Sequence, residues 1–247
     1  MLAQNETGAL MPVAALAAAA RAHGALVHSD AAQAIGKTPV SVDDLGVDLL
    51  SIAAHKCYGP KGVGALYVRR GTPLSPLVLG AGQEGGLRPG TENVAGVVGL
   101  GAAARLAIDH LASDAARIAQ LRDELWTALS ARVDGIRRHT PDDACLANTL
   151  LVSFPGVLGA DVLARVPQIA ASTGSACHAG EHTPNATLLA MGVAPEVALG
   201  AVRLSVGRGT TRADVEAAVD LLARAHAALV ATAPSPTSPS TSKGTPR

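Results

Sequence analysis

Aromatic residues are nearly missing from this 247-residue chain: one Trp, two Tyr and one Phe make up 2% of it. Large rings therefore cannot fill its core. Ala, Val and Leu, which dominate the 48% hydrophobic content, must do so, and small aliphatic packing suits α/β layers. A charge of one sign is also missing. Twenty Lys and Arg balance 20 Asp and Glu, so electrostatics offers no case for a nucleic-acid or anionic-membrane partner. Cysteine is scarce. Cys57, Cys145 and Cys177 form no CxxC pair and no zinc-like spacing, and an odd set of this kind points to a reducing cytoplasm with a free thiol. No basic segment leads into a long apolar run, and residues 14–20, though apolar, are too short for a membrane span and run into Arg21 and His23. The expectation is a soluble cytoplasmic protein of one large domain or two modest ones.

What is present alternates between strand and helix signals. A helix is expected over 12–23, with Pro12 near its start, and strands over 25–28, 48–52 and 63–68. This alternation predicts a mainly parallel sheet with a ligand crevice at the carboxyl ends of its strands. A glycine-rich stretch, 80–90, leads to Thr91-Glu92-Asn93, a cap for a helix over 94–107; a second helix is expected over 112–132. Strands follow near 135–139, 148–154, 169–172 and 201–206, with helices over 159–165 and 212–231. The second half thus reads as a small α+β domain. Residues 233–247, rich in Pro, Ser and Thr, read as a disordered tail.

Three groups carry the chemistry. An apolar strand delivers Asp30, and a second apolar run ending Ala53-Ala54 delivers His55-Lys56 into a glycine-rich turn. Acid and amine at successive strand ends are what pyridoxal phosphate needs, one for the pyridinium nitrogen and one for a Schiff base. Read alone, Asp30 could equally be a turn or cap residue, and Gln33 either a ligand donor or a solvated amide. Lys37 and Lys61 read as exposed; only Lys56 directly follows a buried run. Cys177 lies among small residues, Ser172-Thr173-Gly174-Ser175-Ala176-Cys177-His178, and reads as a nucleophile, whereas Cys57 and Cys145 read as structural. Arg203, inside the apolar run Val202-Arg203-Leu204, needs a partner, either a substrate carboxylate or an internal acid. No metal site is expected: His178 and His182 have only Glu181 as a nearby acid.

With these residues in place the chain resembles the cysteine desulfurases and selenocysteine lyases, class-V, fold-type-I pyridoxal phosphate enzymes. The resemblance rests on Asn5-Glu6-Thr7-Gly8, His28-Ser29-Asp30-Ala31-Ala32-Gln33, Ala54-His55-Lys56, Gly82-Gln83-Glu84 through Asn93, Gly174-Ser175-Ala176-Cys177 and Arg203-Leu204-Ser205-Val206-Gly207-Arg208, collinear over about 2–232. It implies a fold-type-I PLP-dependent transferase-like fold. Residues 1–110 would be the C-terminal part of the cofactor-binding domain and 111–232 a small α+β domain bearing the cysteine loop. It further implies pyridoxal 5'-phosphate as a Schiff base to Lys56, with Asp30 at the pyridine nitrogen. Gln33 and Asn5 would lie near the phenolic oxygen, His55 at the phosphate, and Thr91 at the phosphate of the other subunit's cofactor. Asn5 and Arg203 would bind the substrate carboxylate, and Cys177 would accept sulfur from L-cysteine. A homodimer and a sulfur-acceptor or iron–sulfur scaffold protein are the implied partners. Selenocysteine lyase and a non-catalytic remnant are the alternatives. The family's phosphate-binding serine is Ala53 here. The family also carries a long segment before Asn5, so the chain reads as N-terminally truncated, with Leu2 and its neighbours expected to lack sheet partners.

Overall fold

The computed structural model describes residues 1–173, 177–178 and 181–232, with main chain alone at 177, 178, 181 and 182. Its first layer joins α1 (Val13–Ala22), β1 (His28–Asp30), the short α2 (Val42–Leu45), β2 (Leu49–Ala53) and β3 (Gly64–Val68). β1 and β2 pair in parallel, with Asp30 opposite Ser51. β2 and β3 pair antiparallel, Leu49 to Val68 through Ala53 to Gly64, so the sheet is mixed rather than mainly parallel. The cause is the connection: 54–63 is a turn, too short for the crossover a parallel strand requires. Leu2 is not left unpaired. It is buried, and its amide donates to Asp30 O at 2.7 Å beside β1. It joins Ala3, Val13, Val47 and Leu50 in the first core cluster.

The two helices expected over 94–107 and 112–132 are one, α3 (Val94–Ser130), capped by Asn93 Oδ1, which accepts from Gly96 N at 3.1 Å. Neither glycine nor proline interrupts Ile108-Asp109-His110-Leu111, so nothing stops the helix there. The expected domain boundary at residue 110 therefore lies inside α3. Its first half buries Leu100, Ala103 and Ala107, and its second half Ile118, Leu121, Leu125 and Leu129. By length and composition α3 meets the requirement for crossing a membrane, which the sequence reading did not see. Here it packs instead against the turn after β2 and against α7 (Arg212–Thr232).

The second layer contains β4 (Arg137–Arg138), β5 (Thr149–Ser153), α4 (Gly159–Ala164), the paired β6 (Cys177–His178) and β7 (Glu181–His182), α5 (Ala186–Ala190), α6 (Pro195–Leu199) and β8 (Ala201–Ser205). β5 is buried along its whole length between β4 and β8, antiparallel to both. The strand expected at 169–172 is reduced to one bridge, Ser172 to Arg203. Close approach decides two glycines: a Cβ on Gly200 would sit 2.2 Å from Phe154 O, and one on Gly159 2.4 Å from Ala201 O. The expected tail, 233–247, lies outside the described residues.

Candidate active site

Parallel pairing carries β1 and β2 to a common edge. β1 ends at Asp30, and β2 runs two residues past Ser51 into a 3-10 turn, Ala54–Lys56. Asp30 Oδ1 accepts from Ala32 N at 2.7 Å, a local bond that orients the carboxylate. The lysine turn is tight. Cys57 N and Gly59 N both donate to Ala54 O, at 3.0 and 2.9 Å, and the buried Cys57 thiol does the same at 3.3 Å. Cys57 is thus structural, as its setting in the sequence implied. Lys56 Nζ and Asp30 Oδ2 make no hydrogen bond among the described residues.

The second layer adds the guanidinium. β8 sets Arg203 opposite Leu151, and its Nη1 donates to Asn5 O at 2.7 Å. The two residues expected at a substrate carboxylate therefore meet. Arg203 forms no salt bridge with an acid among the described residues. Asn5 sits in a turn organised by Gln4 Oε1, which accepts from Glu6 N, Thr7 N and Thr7 Oγ1. Glu6 Oε1 accepts from Asn185 Nδ2 at 3.3 Å. His55 and Thr91 are exposed, Thr91 lying just ahead of the Asn93 cap. The Cys177 side chain lies outside the described residues.

Past the lysine, Tyr58 holds φ +67°, a conformation that costs a non-glycine residue energy. It is tied down from the other layer. The Tyr58 hydroxyl accepts from Arg208 N at 2.8 Å, and the Arg208 guanidinium stands 4.9 Å from its ring centroid while its Nε donates to Asp114 Oδ2 at 2.7 Å. A narrow cleft between the layers is lined by Lys37, Lys56, Tyr58, Asp114, Asn148 and Arg208.

Sequence reasoning missed Lys37. It is partly buried rather than exposed, and its Nζ donates to Gln33 O at 2.9 Å and Lys56 O at 3.1 Å. The usable signal was its place four residues after Gln33, next to buried Ala34. Burial first, and the positive Lys56 second, lower its pKa from 10.5 to about 8, with Cys57 opposing. The unfolded chain then holds one more proton than the folded chain between about pH 8 and 10.5, so this group makes stability rise with pH across that window. At about 1.4 kcal/mol per pH unit the upper limit is about 3 kcal/mol. Urea melts at pH 8 and pH 10 check it: the rise should shrink in Lys37→Met. The neighbouring charges Lys56, Asp114 and Arg208, with Cys57 and Tyr58, remain in both proteins. Arg69 and Arg138, each in an adjacent arginine pair near a strand end, also bond to main chain. Arg69 Nε and Nη2 donate to Val47 O and Val42 O, and Arg138 Nε and Nη2 to Thr140 O and Pro141 O.

Paired strands thus bring an acid and an amine to one sheet edge, and β8 brings a guanidinium to the Asn5 turn. Comparison with known proteins specifies the family: the chain matches the aminotransferase class-V family over residues 1–218 and belongs to it. A cysteine desulfurase of Gluconacetobacter diazotrophicus is 45% identical over 224 residues, covering 90% of this chain and 56% of the relative. A selenocysteine lyase of Rattus norvegicus is 44% identical over 245 residues, covering 91% and 56%. Among solved structures, a NifS-like protein superposes with a TM-score of 0.82 at 38% identity, over 93% of this chain and 60% of that one. A NifS-like protein from Rickettsia africae gives a TM-score of 0.83 at 29% identity, over 92% and 60%. The fold is thus that of the NifS-like, fold-type-I enzymes, and the chain spans less than two thirds of the length of these relatives.

Proposed function

We propose that this chain carries the active site of a pyridoxal phosphate-dependent cysteine desulfurase. The observation that carries the reading is the delivery of Asp30 and Lys56 to one sheet edge by paired parallel strands. The donor set fits the cofactor. The Lys56 amine and the second Asp30 oxygen are uncommitted among the described residues, which leaves a nitrogen for the Schiff base and an acceptor for the pyridinium N–H. Asp30, Gln33, Asn5, His55 and Lys56 would hold the group, with Thr91 serving the other subunit of a homodimer; Ala53 offers no hydroxyl to the phosphate. When bound, the cofactor supplies an electron sink for the substrate's α-carbon.

The chain's own residues do the rest. The Arg203 fork and the Asn5 turn orient the substrate carboxylate. Lys56 takes the α-proton and returns a proton to carbon. The Cys177 thiolate attacks the substrate sulfur: the S–S bond forms, the C–S bond breaks, and its electron pair stays with the carbon, which leaves as alanine after protonation. Cys177 is left as a persulfide for an acceptor such as an iron–sulfur scaffold protein. Residues 1–110 would then serve as the cofactor-binding part and 111–232 as the small domain with the cysteine, working in the cytoplasm. A selenocysteine lyase is the second reading, favoured by the near-equal 44% identity to that relative.

Incubation of the chain with pyridoxal phosphate and L-cysteine tests the reading. Alanine and a persulfide on Cys177 are expected, and Cys177→Ser should remove sulfur transfer while keeping the cofactor's visible band. Sulfide release at the unaltered rate from Cys177→Ser would overturn the role of Cys177. A parallel assay with selenocysteine separates the two substrates. Arg203→Lys, which keeps the charge and loses the fork, is expected to lower kcat/KM by about 10- to 100-fold, mainly through KM.

A further inference from the structure

Strands β1 and β2 hold the two halves of the proposed cofactor site together only as far as the Ala31 N to Ser51 O bond, at 2.9 Å. Beyond it the chain after Asp30 and the chain bearing Lys56 run on without a shared main-chain hydrogen bond among the described residues. The link that remains is the Lys37 amine, which spans Gln33 O and Lys56 O.

We propose that Lys37 is a positioning residue: it clamps the Lys56 turn against the Asp30–Gln33 segment and so sets where the Lys56 amine stands relative to the carboxylate. The packing around Lys37 makes the clamp rigid. Gly36, at φ +70°, lies so close that a Cβ there would stand 3.1 Å from Ala107 Cβ and 3.2 Å from Cys57 Cβ. This wedges the loop between α3 and the lysine turn and aims the next side chain along the cleft. Two carbonyl acceptors require two N–H groups, and a lysine has them whether or not it is charged. The clamp therefore survives loss of the proton. Its residue type matters for reach: a four-carbon stem spans from one loop to the other.

This inference rests on the proposed function only for its consequence, since the clamp exists in the cofactor-free chain. Hydrogen exchange on that chain is therefore the first measurement. Lys37→Met keeps the stem and removes the donors. It is expected to speed exchange at the Cys57 and Gly59 amides by about tenfold while β5 amides stay protected. Lys37→Gln, too short to reach both carbonyls, should do the same if the methionine variant folds poorly, and Lys37→Arg, which retains donors and length, should restore most of the protection. Unchanged exchange at Cys57 and Gly59 in both loss variants would overturn the clamp. Adding pyridoxal phosphate then separates the two ideas. A visible band in the unaltered protein with about tenfold weaker cofactor affinity in Lys37→Met supports the positioning role. Equal affinity would confine Lys37 to stability and overturn it. No band in the unaltered protein would contradict the proposed function, and the clamp would then stand or fall on exchange.

Discussion

Replacing Lys56 with alanine is expected to reduce alanine formation from L-cysteine by at least about 1,000-fold, because one side chain is asked both to attach the cofactor and to move the substrate's proton. No neighbour can substitute. Lys37, the other amine in the cleft, is committed to two carbonyl oxygens, and Lys61 is exposed beyond the turn. The turn itself is stabilised through Ala54 O and the Cys57 thiol rather than through the Lys56 side chain, so the variant should keep its fold. Circular dichroism and urea melts alongside the alanine assay separate lost chemistry from lost structure. Folded, inactive protein without a visible cofactor band is the expected outcome.

The largest structural effect is expected from Phe154→Ala. Phe154 is the chain's one phenylalanine, 1% exposed at the end of β5, and its ring stands 5.8 Å from that of His226 on α7. It packs with Leu129, Val162, Val202 and Leu222 in a cluster otherwise built of aliphatic side chains. Removing the ring leaves a cavity that the buried aliphatic neighbours fill only by shifting, so the cost should reach about 3–5 kcal/mol, a large share of a typical domain's stability. Urea unfolding followed through Trp126, which packs against the same cluster, reads it directly. Because β5 and β8 form one ladder, the same variant should weaken the hold on Arg203.

Much of this architecture was legible in the sequence because its signals are local. Apolar runs ending at Asp30 and at His55-Lys56 mark strand ends, and Arg203 within Val202 and Leu204 marks a guanidinium that needs an acceptor. The structure supplied an acceptor in Asn5 O, joining residues far apart in the chain. What escaped was set by tertiary context. The length of the 54–63 turn, not the strand pattern, made β3 antiparallel. α3 runs through Asp109 and His110 because no glycine or proline stops it and each of its halves buries apolar residues, which the polar break in the sequence concealed. Lys37 read as a surface charge because its partners are main-chain carbonyls, which have no sequence signature. Leu2 read as an open edge because its pairing with Asp30 O depends on how the first turn folds back.

Lys56, delivered to the same sheet edge as Asp30, is proposed as the cofactor-bearing amine. Borohydride reduction of the chain after incubation with pyridoxal phosphate, followed by peptide mapping, tests it most directly. The account predicts one pyridoxyl group on Lys56 and a strongly reduced yield in Asp30→Ala. Label on Lys37 or Lys61 with Lys56 unmodified, or none on any of the three, would contradict it.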